Sequence, residues 1–340
     1  MSGRRAIRDA GHDSGAILFI TANRIGDAVL STGLLAYLAA ARPNAAITVV
    51  CGPLPAPLFA NAPGVTQVLP VVKQRAAMHW LSLWRHLVVR RWSVVVDLRA
   101  SLFAGLVRAR ERRTARPGAA RYRVQQAKVR ELADVLGLAD PPPPVLWPTS
   151  DDALRAARLL GGRGEFVAMG PTANWPGKEW PAERFVRLGR QLCGPGGRFA
   201  GQPIAVLGGA GEEARAQAVV RGLLDGGIDT LDLVGRCDLP VTAACLARAR
   251  LYIGNDSGLM HMAAAVGAPT LGLFGPTDER VYGPWGEHTA VVRAPEPFDR
   301  LQAQGLAGHM SGLMDGLTVD MALSAALTLH DQCHERPSND

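Results

Sequence analysis

Three short stretches of the chain hold side chains whose types and spacing could do chemistry: "NRIGDAVLST" around Asp27, "PTANWPGKEWPAERF" around Lys178, and "NDSGLMHMAAAVGAP" from Asn255 to Pro269. In the last, Asp256 and Ser257 stand at the beginning of a small-residue helix, where unpaired backbone N–H groups and the helix dipole favour an anion such as a diphosphate. Gly258 lets a ligand approach the backbone closely. His261 falls one turn further on, either reaching the same anion or sitting as a satisfied, half-buried ring. Asp27 follows Gly26, which relaxes the turn. A carboxylate there is a good helix cap, and it is equally placed to take a proton from a hydroxyl. Lys178 lies between Trp175 and Trp180, just ahead of a helix starting near Pro181, and is either an exposed loop charge or a phosphate contact.

The elements that position these residues follow from hydrophobic patterning. "AILFIT", "AITVVC", "VTQVLPV" and "SVVVDLR" are short, β-rich and nearly continuously apolar, with helical stretches such as "DAVLSTGLLAYLAAA" between them. This is the signature of a parallel sheet covered by helices. "ADPPPPVLWPTS" interrupts it with prolines that continue neither helix nor central strand. The alternation then resumes with "EFVAMG", "PIAVLGG", "LDLVG", "RLYIG" and "PTLGLFG". The pattern predicts two doubly wound α/β domains facing across a cleft, residues 16–140 and 150–332, joined by a proline-rich linker at 141–149 and preceded by a disordered extension, 1–15. "TVDMALSAALTL" reads as a closing helix. Ligands of such sheets bind beyond the carboxyl ends of the strands, where all three stretches fall.

Composition narrows the setting. With 340 residues, 48% of them hydrophobic, the chain can bury two cores. Residues 1–150 carry 20 Lys+Arg against 8 Asp+Glu, and the remainder 17 against 22, so a net +12 opposes a net −5. Much of the excess lies between Arg108 and Arg130, including Arg112, Arg113 and Arg116. That stretch is either a solvated helix and loop surface or a site for an anionic partner. Tyr122 is its one aromatic residue, which is poor for base stacking, so a phosphorylated small molecule or anionic lipid headgroup suits it better than nucleic acid. The five scattered cysteines form no metal-ligand pattern and read as reduced, cytosolic thiols. No export signal and no spanning segment is visible.

"NRIGDAVLSTGLLAYLAAARPNAAITVV", "PGKEWPAERF" and "GRCDLPVTAACLARARLYIGNDSGLMHMAAAVGAPTLGLFGPTD" together resemble the successive motifs of glycosyltransferase family 9, the ADP-heptose:lipopolysaccharide heptosyltransferases, from Ile17 to Trp285. The resemblance implies a GT-B fold, an acceptor-binding N-terminal domain, a nucleotide-sugar-binding C-terminal domain and inverting, metal-independent transfer with no cofactor. It makes Asp27 the catalytic aspartate and Lys178 a donor-diphosphate contact. Asp256, Ser257, Gly258 and His261 match the donor-site signature, and Glu212 a glutamate on the nucleotide side. It further implies ADP-heptose as donor, an anionic lipopolysaccharide inner-core acceptor and a cytoplasmic enzyme peripheral at the inner face of the inner membrane; the basic excess of residues 1–150 then assigns Arg112, Arg113 and Arg116 to that acceptor. No D-x-D, a common means of holding a diphosphate through a divalent ion, occurs in the chain. Leaving-group charge then falls to the helix N-terminus, Lys178 and His261.

Other readings compete. Relatives of the family can use another nucleotide-sugar or acceptor. Gly209 to Ala214 spell G-x-G-x-x-A after an apolar strand, with Asp229 20 residues beyond Gly209, as in a dinucleotide-dependent enzyme. A non-catalytic two-domain binding protein shares the architecture, but it leaves Asp27 and "DSG" without a joint purpose.

Overall fold

The computed structural model describes residues 15–72, 78–115, 126–308 and 311–334. The expected disorder of the N-terminal extension and the placement of Arg116 lie outside the described residues. The chain divides into two units between Trp147 and Pro148.

The N-terminal unit is built on five parallel strands, β1 (Ala16–Ile20), β2 (Ile47–Cys51), β3 (Val65–Pro70), β4 (Arg91–Asp97) and β5 (Arg108–Thr114), in the order β3-β2-β1-β4-β5. Every residue of β2 is buried, which is why its apolar run is unbroken rather than alternating. The chain winds outward from β1 through β2 to β3, then crosses to β4. The topological switch point therefore lies between β1 and β4, with Ile20 opposite Asp97 at its carboxyl end.

Three segments differ from their sequence reading. The helical stretch after β1 is two helices, α1 (Ile25–Leu30) and α2 (Thr32–Ala41). Ser31 Oγ donates to Ala28 O and Thr32 Oγ1 to Val29 O, both at 2.7 Å, and such side-chain bonds to preceding carbonyls bend a helix. The proline run packs against this kink. Val145 N donates to Thr32 Oγ1 at 2.9 Å, and a Cβ at Gly33 would come 2.3 Å from Pro142 O. The residues expected to form a linker are thus seated on the first unit, and the division falls at its far end. The arginine-rich stretch begins as β5, an edge strand whose residues are alternately exposed and half-buried. Charge on an edge discourages further strand pairing. Helices α3 (Met78–Val88) and α4 (Lys128–Leu136) complete the unit.

The C-terminal unit has six parallel strands, β6 (Phe166–Gly170), β7 (Ile204–Val206), β8 (Thr230–Asp232), β9 (Ala249–Asn255), β10 (Thr270–Phe274) and β11 (Thr289–Arg293), ordered β11-β10-β9-β6-β7-β8. Its helices are α5 (Ser150–Leu159), α6 (Ala182–Cys193), α7 (Glu213–Asp225), α8 (Leu239–Leu246), α9 (Gly258–Ala265), α10 (Glu279–Tyr282), α11 (Phe298–Leu306) and α12 (Val319–His334). The switch point lies between β6 and β9. α5 starts on a reciprocal capping box, Thr149 with Asp152. α12, the closing helix of the sequence reading, packs on α6, β10 and β11, and its residues Ala322, Ala326 and Leu329 join the core of the sheet. Among the described residues no helix is long and apolar enough to cross a membrane.

Candidate active site

At the switch point of the C-terminal sheet, loops leaving β6 and β9 meet. Lys178, from the first, places Nζ 2.5 Å from Oδ2 of Asp256, from the second. Both are largely buried, so the pair exchanges hydration for one close charge-assisted contact. Ser257 follows as the N-cap of α9, but its side chain makes no capping bond, which leaves the first-turn N–H groups of α9 open to another acceptor. Its hydroxyl neighbours that of Tyr252, yet neither is in hydrogen-bonding geometry with a described partner. Tyr252 is wholly buried; burial pushes its hydroxyl pKa up, with the Ser257 side chain pulling the other way. Gly170 and Gly254 make room for that ring, since a Cβ at either would come within 2.1 or 2.3 Å of the phenol oxygen. His261, one turn into α9, is 4% exposed.

The Lys178 loop is held by residues the motif reading passed over. Asn255, fully buried at the end of β9, accepts from Trp180 N at 3.0 Å and donates to Pro171 O at 2.7 Å, closing both ends of the loop with one amide. Glu179 Oε1 accepts from Ala173 N at 3.0 Å and from Arg215 at 2.6 Å. Burial raises the pKa of Glu179, partly offset by the Ala173 N–H and the Arg215 charge. Arg215 also pairs with Glu212 at 2.8 Å. Glu212 in turn accepts from Thr172 Oγ1 at 2.7 Å and Gly209 N at 2.8 Å. Glu212 thus ties the loop after β7 to the loop after β6. Asn255 was visible in the "NDSG" stretch, where a buried amide at a strand end is a signal in itself; Arg215 and Thr172 carry no local pattern.

These contacts also answer the dinucleotide reading. In the G-x-G-x-x-A turn the Gly209 N–H, which would face a pyrophosphate, is already bound by the Glu212 carboxylate. Asp229 precedes β8 and forms a two-pronged pair with Arg163, at 2.8 and 3.0 Å.

In the N-terminal unit Asp27 occupies the first turn of α1, but the N-cap is Arg24, so Asp27 is not the cap residue. Its carboxylate is half-buried and accepts no hydrogen bond from a described residue. Across the β1/β4 switch point, buried Asp97 accepts from Arg99 N, Ser101 N and Ser101 Oγ, and Arg99 Nη1 donates to Asn23 Oδ1 at 3.1 Å. The sequence reading missed this group. Arg112 and Arg113 lie on β5. Arg112 donates to the carbonyls of Ala104, Ala109 and Val107, and Arg113 pairs with Glu111 at 2.6 Å. Arg112 therefore spends much of its hydrogen-bonding capacity bracing its own turn. Among the described residues no three His, Cys, Asp or Glu side chains converge as a metal-ligand set.

Two parallel sheets, each with polar side chains gathered at its switch point, are the parts of which the GT-B architecture of glycosyltransferases is built, and the solved structures that superpose on this one have that fold. The structure superposes on a glycosyl transferase family 9 protein from Veillonella parvula with a TM-score of 0.80, at 21% identity over 96% of this chain and 100% of that one. It superposes on the E. coli ADP-heptose lps heptosyltransferase II with a TM-score of 0.70, at 22% identity over 93% and 99%. The profile of Glycosyltransferase family 9 (heptosyltransferase) matches residues 71–305, and the chain belongs to that family. Lipopolysaccharide heptosyltransferase 2 of Salmonella typhimurium is 26% identical over 88% of this chain and 94% of its own.

Proposed function

We propose that this glycosyltransferase moves a heptose from ADP-heptose to a lipopolysaccharide inner-core acceptor, with inversion at the anomeric carbon and without a bound metal. The observation that carries the reading is the Lys178–Asp256 pair beside the uncapped N-terminus of α9. There open backbone N–H groups supply positive potential for a diphosphate, and Lys178, its charge offset by Asp256, adds hydrogen-bond donors beside them. The names of the relatives, lipopolysaccharide heptosyltransferase 2 and ADP-heptose lps heptosyltransferase II, support the donor and the acceptor class.

In the reaction Asp27 takes the proton of the acceptor hydroxyl as that oxygen bonds to the anomeric carbon. The bond from that carbon to the diphosphate oxygen breaks, and its electron pair leaves with ADP towards Lys178 and α9. A carboxylate that accepts no hydrogen bond from the described residues is suited to this role. Glu212 serves the nucleotide side, and Ser257, Gly258 and His261 complete the donor site at the start of α9. The basic excess of residues 1–150, Arg112, Arg113 and Arg116 included, attracts the anionic glycolipid acceptor and its membrane surface on the cytoplasmic side.

The test is turnover with ADP-heptose and an inner-core acceptor, with the anomeric configuration of the product read by NMR. An inverted linkage formed equally well in EDTA is expected. Retention of configuration, or activity lost to EDTA and restored by magnesium, overturns the mechanism; no product with ADP-heptose overturns the donor.

A further inference from the structure

We propose that Arg99 binds an anionic group of the acceptor, carboxylate or phosphate, at the switch point of the N-terminal sheet; this rests on the reading of Asp27 as the base for the acceptor hydroxyl. Asp27 and Asn23 follow β1, Arg99 follows β4, and these strands are neighbours where the chain reverses its winding. That is where doubly wound sheets bind ligands. In the C-terminal sheet the equivalent place holds Lys178 and Asp256, a cation already paired with a carboxylate.

The N-terminal cation differs. Asp97 is fully buried, and its carboxylate is satisfied by Arg99 N at 2.9 Å, Ser101 N at 2.8 Å and Ser101 Oγ at 2.6 Å. Between these donors Ala100 takes φ 53°, a left-handed conformation that a non-glycine residue keeps only where its surroundings overdetermine it. The loop so formed turns Arg99 back to β1, where Nη1 donates to Asn23 Oδ1. Asn23 is itself seated against the end of β2: a Cβ at Gly52 would come 2.7 Å from Asn23 Cα, and Gly52 N donates to Ala22 O. Asn23 is neutral and takes one N–H of five. Among the described residues no carboxylate pairs with the Arg99 guanidinium, which is exposed. An oriented, uncompensated guanidinium at a ligand-binding edge is suited to two-pronged recognition of a carboxylate or phosphate.

The experiment uses the full chain and three probes: a deacylated inner-core fragment with a sugar carboxylate and phosphates, the same fragment dephosphorylated, and the same fragment with its carboxyl reduced to an alcohol. Acceptor and ADP binding are measured by calorimetry, and acceptor KM and kcat by turnover. Arg99→Gln is expected to weaken binding of the complete fragment about tenfold or more, with ADP binding and melting temperature unchanged. Arg99→Lys should recover part of the loss and Asn23→Ala show a smaller one. The effect of Arg99→Gln should vanish with one modified fragment: the reduced one if Arg99 reads the carboxylate, the dephosphorylated one if it reads phosphate. Equal binding of all three fragments by Arg99→Gln and parent overturns the proposal. So does an equal loss with all three, or a fall in melting temperature, which makes Arg99 a structural clasp. Arg99-dependent binding without heptose transfer sustains the proposal and overturns the donor reading alone, whereas a parent that binds none of the fragments overturns both.

Discussion

Lys178 Nζ and Asp256 Oδ2 stand 2.5 Å apart, on loops that leave adjacent central strands 78 residues apart in the chain. The contact joins the β6 loop to the N-terminus of α9, so donor affinity and loop geometry share one ion pair. Lys178→Ala is expected to weaken ADP binding by about 1.5–3 kcal/mol, the range for hydrogen bonds to charged groups. Asp256→Asn should cost less, and the double variant no more than Lys178→Ala alone, because Asp256 acts through Lys178. Calorimetric titration of the four proteins reads this directly; additive losses contradict it.

Asp27 makes no described hydrogen bond and is not the cap of α1. Asp27→Asn is therefore expected to lower kcat about 10²-fold or more while changing stability by no more than about 0.5 kcal/mol. Near-normal turnover, or a large fall in melting temperature, would return Asp27 to a structural role.

Asn255 closes both ends of the Lys178 loop from a fully buried position. Asn255→Ala leaves a buried N–H and a buried carbonyl without partners and is expected to cost about 2–4 kcal/mol of stability. Denaturant unfolding measures that loss, and ADP binding should weaken with it as Lys178 loses its setting. Unchanged stability would mean that water replaces the amide.

Burial holds the pKa of Glu179 above its ordinary value of 4.5. In the window between the unfolded and the raised folded pKa the native state binds the extra proton, so this group contributes less stability as pH rises through that window. Glu179→Gln does not titrate. The stability of the Gln variant relative to the parent should thus climb just above the ordinary glutamate range and stay flat on either side. A relative stability that falls with rising pH there runs against the burial argument.

The two described arginines of the basic cluster should part company. Arg112 braces three backbone carbonyls, so Arg112→Gln is expected to cost about 1 kcal/mol or more in stability. Arg113 pairs with Glu111 from a side chain only 18% exposed, and Arg113→Gln is expected to cost about 0.5–1 kcal/mol in stability, less than Arg112→Gln, while weakening low-salt binding to anionic vesicles. Equal vesicle binding by parent and Arg113→Gln would remove Arg113 from the membrane-facing charge.

The sequence alone determined the elements whose information is local. Continuous apolar runs such as "ITVVC" announce strands buried on both faces, and glycine beside acid before a small-residue run announces a helix start at a strand's carboxyl end. Those signals placed Asp27, Lys178 and "DSG" beyond the strands. Tertiary structure decided what depends on neighbours distant in the chain. "RARERRT" has the composition of a solvated surface and becomes strand β5 because β4 offers it an open edge. The helix after β1 breaks at Ser31, where Thr21, from the end of the preceding strand, lies 2.7 Å from its hydroxyl. The proline run becomes part of the first unit by packing on that break. Pairing of Lys178 with Asp256, closure of the loop by Asn255, and the meeting of Arg99 with Asn23 each span between 75 and 84 positions. Short-range pattern specifies which residues leave a strand end, but strand order specifies which ends are adjacent, and side-chain charge is compensated or left open only by what that adjacency brings within a few ångströms.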